Sequence, residues 1–262
     1  MSWNADQYLK FAAPRLQPAL DLLARVEGLG VEPALAVDLG CGTGSATQRI
    51  AQRWPRAEVI GVDGSADMLA RAAPAGSRVR WVHGDIARWQ PPAPADLIFS
   101  NAALHWLPDH AALFDHLLAN LAAGGVLAVQ MPSNFDAPSH TTIGDTVRAG
   151  PWRARLEPLL RPPPVAPAAW YHALLAHRTA ALEIWTTEYL HRLSGVVNPV
   201  MEWTKGTWLA PLLQALPDAA ERRAFEQDYA ARVRAAYPPG ADGHTLFPFR
   251  RLFIVAVAGP RG

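Results

Sequence analysis

Cysteine is nearly absent from this chain of 262 residues: Cys41 stands alone. An intramolecular disulfide framework and a zinc site built from several thiolates are therefore excluded, and a reducing compartment suits the chain. Lysine is scarce as well, with only Lys10 and Lys205. Nearly all positive charge is thus arginine, whose planar fork matches carboxylates in a bidentate way. Neither sign of charge is in excess, 24 basic residues standing against 23 acidic. That balance supplies no bulk attraction to nucleic acid or to an anionic membrane. No run approaches the roughly 18 uncharged apolar residues that span a bilayer. The opening Met1-Ser2-Trp3-Asn4-Ala5-Asp6 has neither the basic cluster nor the apolar stretch of a secretory leader. A cytoplasmic monomer is expected, with no nucleic-acid partner, no membrane partner and no metal.

What is present is a large apolar fraction. Half of the residues are hydrophobic and 18% are charged, so a substantial core is available. Tyr8, Phe11, Ala12, Leu16, Leu20, Leu23 and Val26 recur near helical spacing until Gly28-Leu29-Gly30. Five short apolar runs then alternate with helical segments: 34–39, 57–63, 78–83, 95–100 and 124–131 as strands, with 45–54, 66–73 and 110–121 as helices. This alternation predicts βαβ units, a parallel sheet and helices on both faces. Beyond the break at Pro162-Pro163-Pro164, residues 170–177 read as a short helix. Residues 182–190 and 251–257 read as a sixth and a seventh strand, with about sixty residues of proline-punctuated helix between them.

The segment Asp38-Leu39-Gly40-Cys41-Gly42-Thr43-Gly44 joins the first strand to its helix. Glycines there let the backbone approach a ligand closely, and the helix N-terminus offers N–H groups to a phosphate or a carboxylate. A dinucleotide site would use G-x-G-x-x-G, whereas the spacing here is G-x-G-x-G. Asp63 ends the second strand, where an acidic side chain can accept both hydroxyls of a ribose. Gly84-Asp85-Ile86 follows the third strand, and Asn101-Ala102-Ala103-Leu104-His105-Trp106 follows the fourth. All four segments converge at the carboxyl ends of adjacent strands, where open α/β sheets bind ligands.

These pieces together resemble the cofactor site of the class I S-adenosylmethionine-dependent methyltransferases over roughly residues 35–131. The resemblance implies that Asp38, Gly40, Gly42 and Gly44 pass the methionine part of S-adenosylmethionine. It further implies that Asp63 with Gly64 holds the ribose, that Asp85, Ile86 and Met68 frame the adenine, and that Asn101 and Trp106 complete the cofactor pocket. A Rossmann-like fold follows, with a seven-stranded, mostly parallel sheet whose last strand is antiparallel, and a helical insertion between strands 6 and 7. Outside the cofactor half, residues 3–9, 11–15, 101–108, 128–132, 138–140 and 247–256 resemble the trans-aconitate methyltransferase family more narrowly. The chain is then a single methyltransferase domain over 1–262, with an N-terminal helical cap at 1–30 and substrate-lid insertions at 133–170 and 195–248.

The chemistry of such a reaction is undemanding in protons. A carboxylate nucleophile is already ionised near neutral pH, so no general base and no catalytic residue in that sense are expected. The work lies in positioning and in excluding water. A polycarboxylate substrate brings several negative charges into a pocket and needs fixed cations, preferably arginine. Arg15 and Arg251 are the leading candidates, with Arg250 behind them; the bland alternative for each is a surface ion pair. His105 can donate a hydrogen bond to a substrate carboxylate or can merely form a wall. Tyr8 can offer its hydroxyl, although an aromatic at helical spacing also serves a core. Cys41 lacks the partners of a catalytic thiol, and His110 and His116 lie six apart, off one helical face. Alternative functions are methyl transfer to another small acid or metabolite, nicotinamide-dependent redox chemistry, disfavoured by the glycine spacing, and cofactor binding without catalysis.

Overall fold

A computed structural model describes residues 12–72, 78–194 and 198–260, with side chains in the first helix from residue 16 onward. The chain divides into two compact units. The larger holds residues 15–72, 78–132, 164–187 and 251–260; the smaller holds 12–14, 133–163, 188–194 and 198–250.

The first helix, α1 (Ala12–Glu27), buries Ala19, Leu22, Leu23 and Val26, one face at the i, i+3, i+4, i+7 spacing. Strand β1 (Leu35–Leu39) is buried along its whole length, as a central parallel strand covered on both faces must be. It pairs in parallel with β2 (Glu58–Asp63) on one side and β4 (Ala95–Asn101) on the other. Helices α2 (Ser45–Arg53) and α3 (Ala66–Ala72) connect β1 to β2 and β2 to β3 (Val79–His83). Helix α4 (His110–Ala119) leads into β5 (Leu121–Pro132), which is parallel to β4. The seven-stranded sheet has the order β3-β2-β1-β4-β5-β7-β6, and β7 (Thr245–Ala258) runs antiparallel to β5. The expected mostly parallel sheet with an antiparallel last strand is what forms. Strand order reverses between β1 and β4, placing the ligand-binding crevice of an open α/β sheet at their carboxyl ends.

Several element boundaries differ from the sequence expectation. Helix α4 ends at Ala119 rather than Leu121, because Leu121 already pairs with Ala95. The register then shifts before Leu97, and a Cβ on Gly125 would stand 2.8 Å from the Ala95 carbonyl oxygen. The glycines therefore mark a bulge inside the strand and not its beginning. Strand β7 starts at Thr245, ahead of the expected Arg251. Pro248 reads as a breaker in sequence, but the flanking Thr245, Phe247, Phe249 and Arg251 alternate as buried positions along one strand. Strand β6 (Thr179–Leu193) likewise outruns the expected 182–190 at both ends.

In the smaller unit, α5 (Pro138–Ala149), α6 (Arg153–Leu156), α8 (Pro199–Lys205), α9 (Ala210–Gln214) and α10 (Ala219–Ala236) enclose one apolar cluster; α7 (Ala168–Leu175) belongs to the larger unit. Trp152, Trp203, Phe225, Tyr229, Phe247 and Phe249 are among its members. Helix α5 escapes the sequence reading because its buried face, Ser139, Ile143, Thr146 and Val147, is half polar. Its hydroxyls are satisfied locally: the Asn134 amide donates to the Ser139 hydroxyl at 3.3 Å, and Thr146 donates to the Thr142 carbonyl at 2.7 Å. The segments expected as a lid, 133–170 and 195–248, lie largely within this unit.

Candidate active site

The glycine loop is shaped by its neighbours in the larger unit. Gly40, Gly42 and Gly44 all take positive φ (77°, 55° and 77°), a region side chains seldom adopt. A Cβ on Gly40 would collide with Ala103, and one on Gly44 with the Trp81 ring. The loop is pinned to β2 by Gly40 and Cys41 N–H groups donating to the Val62 carbonyl at 2.8 and 3.1 Å. Asp63 receives the Gly42 N–H on one carboxylate oxygen and the Ser65 N–H on the other, both at 2.8 Å. Each oxygen keeps a second lone pair for a ligand hydroxyl. The N-terminus of α2, nine residues long, carries no side-chain cap, so its N–H groups suit an anionic ligand tail. Asp38 is shut off from solvent, and Thr47 donates to it at 2.6 Å. Burial raises its pKa to about 7, and the Thr47 bond ties the end of β1 to α2 behind the loop.

Other expected cofactor residues approach this loop. The Met68 methyl lies 3.3 Å from where a Gly42 Cβ would be, and Ile86 lies 3.6 Å from the same point on Gly40. Asp85 is exposed at the start of its turn, accepting from the Ala87 N–H at 3.0 Å. Gly64 is exposed, with its carbonyl 3.1 Å from a His83 ring nitrogen. Trp106 stands 40% exposed beside His105, their ring centroids 4.6 Å apart.

A second group of polar side chains occupies one face of β4, β5 and β7. Asn101 is the register partner of Gln130, Gln130 of Phe253, and Pro132 of Arg251. Register partners share a face, and residues two apart on a strand do so too. Asn101, Gln130 and Arg251 therefore project from the same side, near the carboxyl ends of the parallel strands. Arg251 is a deeply buried cation, 3% exposed. His105, 5% exposed, is held neutral: burial first, then the nearby positive charge of Arg251, lowers its pKa to about 3. The His105 Nδ1, the Asn101 Oδ1 and both amide atoms of Gln130 are buried with no hydrogen-bond partner among the described residues. Ala102, between Asn101 and the 3₁₀ turn Leu104–Trp106, has φ +53°, a strained value for a residue with a Cβ. Its N–H donates to the Gln130 carbonyl at 2.9 Å.

Not every expected residue joins these groups. Tyr8 lies outside the described residues, and of Arg15 only the helical backbone is described. Arg250 was expected as a further substrate cation. It is 42% exposed and paired with Asp136, and alternation along the strand turns it to the face opposite Arg251. Burial pushes the Cys41 thiol far up, away from reactivity. His110 is held by the Tyr171 hydroxyl and the Leu104 carbonyl, and His116 by the Trp89 carbonyl. Among the described residues no three His, Cys, Asp or Glu side chains are grouped to hold a metal, and no helix is long and apolar enough to cross a membrane. Two residues were missed. Trp81 fills the space over Gly61, where a Cβ would stand 2.7 Å from its ring; only the strand alternation placing it opposite Gly61 could have signalled it. Gln130, a polar residue in an apolar strand, was a visible anomaly.

The methyltransferase domain family matches residues 36–125, from β1 through the bulge of β5. A trans-aconitate 2-methyltransferase from Azoarcus sp. (strain BH72) is 48% identical over 98% of this chain and 99% of its own length. The chain belongs to the trans-aconitate 2-methyltransferase family. A second member, from Rhizobium etli, is 43% identical over 99% of this chain and all of its own length. Among solved structures, a methyltransferase from Geobacter sulfurreducens in complex with S-adenosylhomocysteine shares the fold, with a TM-score of 0.51 at 20% identity over 92% of this chain and 90% of that one. Membership of the trans-aconitate 2-methyltransferase family makes the chain a methyltransferase. The family likeness extends past the glycine loop to β7, the strand that carries Arg251.

Proposed function

We propose that this enzyme transfers a methyl group from S-adenosylmethionine to a carboxylate of trans-aconitate, giving the monomethyl ester and S-adenosylhomocysteine. The observation that supports it most is Arg251, a buried cation at the carboxyl edge of the same sheet that carries the glycine loop, in a chain nearly half identical to a relative named for that reaction. A buried guanidinium can add an anion of matching shape to its partners, and a carboxylate supplies one.

The loop residues fit the methyl donor. The uncapped start of α2 and the three positive-φ glycines suit its carboxylate tail. Asp63 would accept the ribose hydroxyls with its spare lone pairs, and Met68, Ile86 and Asp85 would border the base. When bound, S-adenosylmethionine supplies a methyl group on a positively charged sulfur, which an ionised carboxylate can take without help from a base. What the chain contributes is orientation. Arg251 pairs with substrate negative charge, neutral His105 donates a hydrogen bond without adding charge, and Arg15 in α1 is a second candidate cation. Trp106 would restrict water at the edge.

The test is a methyl-transfer assay with labelled donor over a panel of small di- and tricarboxylates, with the ester identified by mass spectrometry. Trans-aconitate should be the preferred acceptor. Turnover of another metabolite class, with none of the polycarboxylates methylated, would reject the assignment.

A further inference from the structure

We infer that Gln130 is a substrate-contacting residue that faces both reactants at once, its amide N–H donating to the reacting carboxylate and its carbonyl turned to the positively charged methyl donor. This rests on the reaction proposed above.

Gln130 is fully buried, and neither end of its amide meets a partner among the described residues. Leaving a buried amide unsatisfied costs on the order of 1–3 kcal/mol per group, and such groups are few in native proteins. A neighbouring buried polar group is satisfied: Ser100, one residue before Asn101, donates to the Leu39 carbonyl at 2.7 Å. The Gln130 backbone is fully used as well, in the β5 ladder and in its bond from Ala102. Only the side chain has unfilled capacity. It sits on the face shared with Asn101 and Arg251, near neutral His105. The site therefore holds one buried cation, one neutral imidazole and one amide, with unmet acceptors on Asn101 and Gln130.

An anion alone cannot satisfy this set, since a carboxylate accepts and never donates. A cation alone cannot satisfy it either, because the Gln130 N–H₂ would remain unmet. A reaction that brings an anionic acceptor against a cationic donor presents both. An amide is the neutral side chain suited to that junction: it carries a donor end and an acceptor end, and rotation of its terminal bond chooses which end meets which reactant. Ala102, with its strained φ, links Asn101 on this face to the turn Leu104–Trp106 that carries His105.

The test compares wild type with Gln130→Leu, Gln130→Met and Gln130→Glu. The apolar variants remove an unpaired buried amide, so Tm should hold or rise. Their kcat for trans-aconitate should fall about ten- to a hundredfold, with KM changing less. Calorimetry supplies a readout apart from turnover. Affinity for the positively charged S-adenosylmethionine should drop severalfold, while affinity for neutral S-adenosylhomocysteine holds. Gln130→Glu should gain activity as pH falls from 8 to 6, since only the protonated acid regains a donor, whereas wild type stays flat. Leu and Met variants that fold and keep kcat within about twofold would overturn the inference, as would a loss confined to KM. Failure of both to fold would overturn it too, by giving the amide a structural role. If wild type itself esterifies no polycarboxylate, the proposed reaction fails instead, and the calorimetric arm still reports on the carbonyl.

Discussion

The two halves of the sheet edge handle polar groups in opposite ways. On the β1–β2 side every carboxylate is answered within the protein: Asp38 by Thr47, Asp63 by two backbone N–H groups. On the β4–β5–β7 side, Asn101, His105 and Gln130 carry buried atoms with no partner, beside a buried arginine. The first half is a finished cradle whose shape does not wait for a ligand. The second is polar capacity held in a low-dielectric setting, which bound reactants would complete. A methyltransferase can use this division, because its donor is constant while its acceptor must be selected.

Removing the cation from the unfinished half should produce the largest effect. Arg251→Ala should lower kcat/KM for trans-aconitate by about thirty- to eight-hundredfold, equivalent to roughly 2–4 kcal/mol for losing a buried charged partner. Arg251→Lys should recover only part, since a point charge does not reproduce the guanidinium fork. Arg250→Ala is the internal control: an exposed ion pair with Asp136 contributes about 0–1 kcal/mol at most, and steady-state kinetics should barely register it. Equal losses at 250 and 251 would erase the distinction between the faces of β7.

The finished half should respond in a different observable. Asp63→Ala removes the acceptor proposed for the ribose and also frees the Gly42 and Ser65 N–H groups. Affinity for S-adenosylhomocysteine, measured by calorimetry, should weaken by about 1–3 kcal/mol. KM for trans-aconitate at saturating donor should change little. A shift of both affinities together would show that the two halves are not separable.

How much of this was legible in sequence follows the same division. The cradle depends on local chain chemistry: glycines at a strand–helix junction, an acidic residue ending the next strand. Residues 35–101 could thus be placed within one or two positions of their final elements. Gln130 and Arg251 become neighbours only through the β5–β7 pairing of segments more than a hundred residues apart, and no local pattern announces such a contact. The sequence reading ranked Arg251 ahead of Arg250, and strand alternation places these chain neighbours on opposite faces. Helix α5 stayed hidden for another reason, its buried face being half serine and threonine. Trp81 was read as a strand residue, yet its ring explains why Gly44 and Gly61 have no side chain.

One further effect tests the cradle without touching a ligand. Burial lifts the Asp38 pKa from 3.8 to about 7, so between those values the folded chain keeps a proton that the unfolded chain has released. Stability should therefore decline as pH rises from about 4 to about 7 and then level off. Asp38→Asn cannot titrate, and its Tm should lose that share of the slope, with the two curves diverging most at pH 7 and above. His105 acts in the opposite sense at lower pH. Its pKa of about 3 lies below the ordinary 6.5, so the unfolded chain takes up a proton first and stability falls as pH drops through that interval. Neither His105 nor an ionised substrate carboxylate titrates between pH 6.5 and 8.5, so turnover at saturating donor should vary by no more than about twofold there. Any wild-type pH dependence that vanishes in Asp38→Asn belongs to the brace behind the glycine loop. Dependence that survives in Asp38→Asn would mean that a protein base takes part after all, and that the acceptor is not a carboxylate.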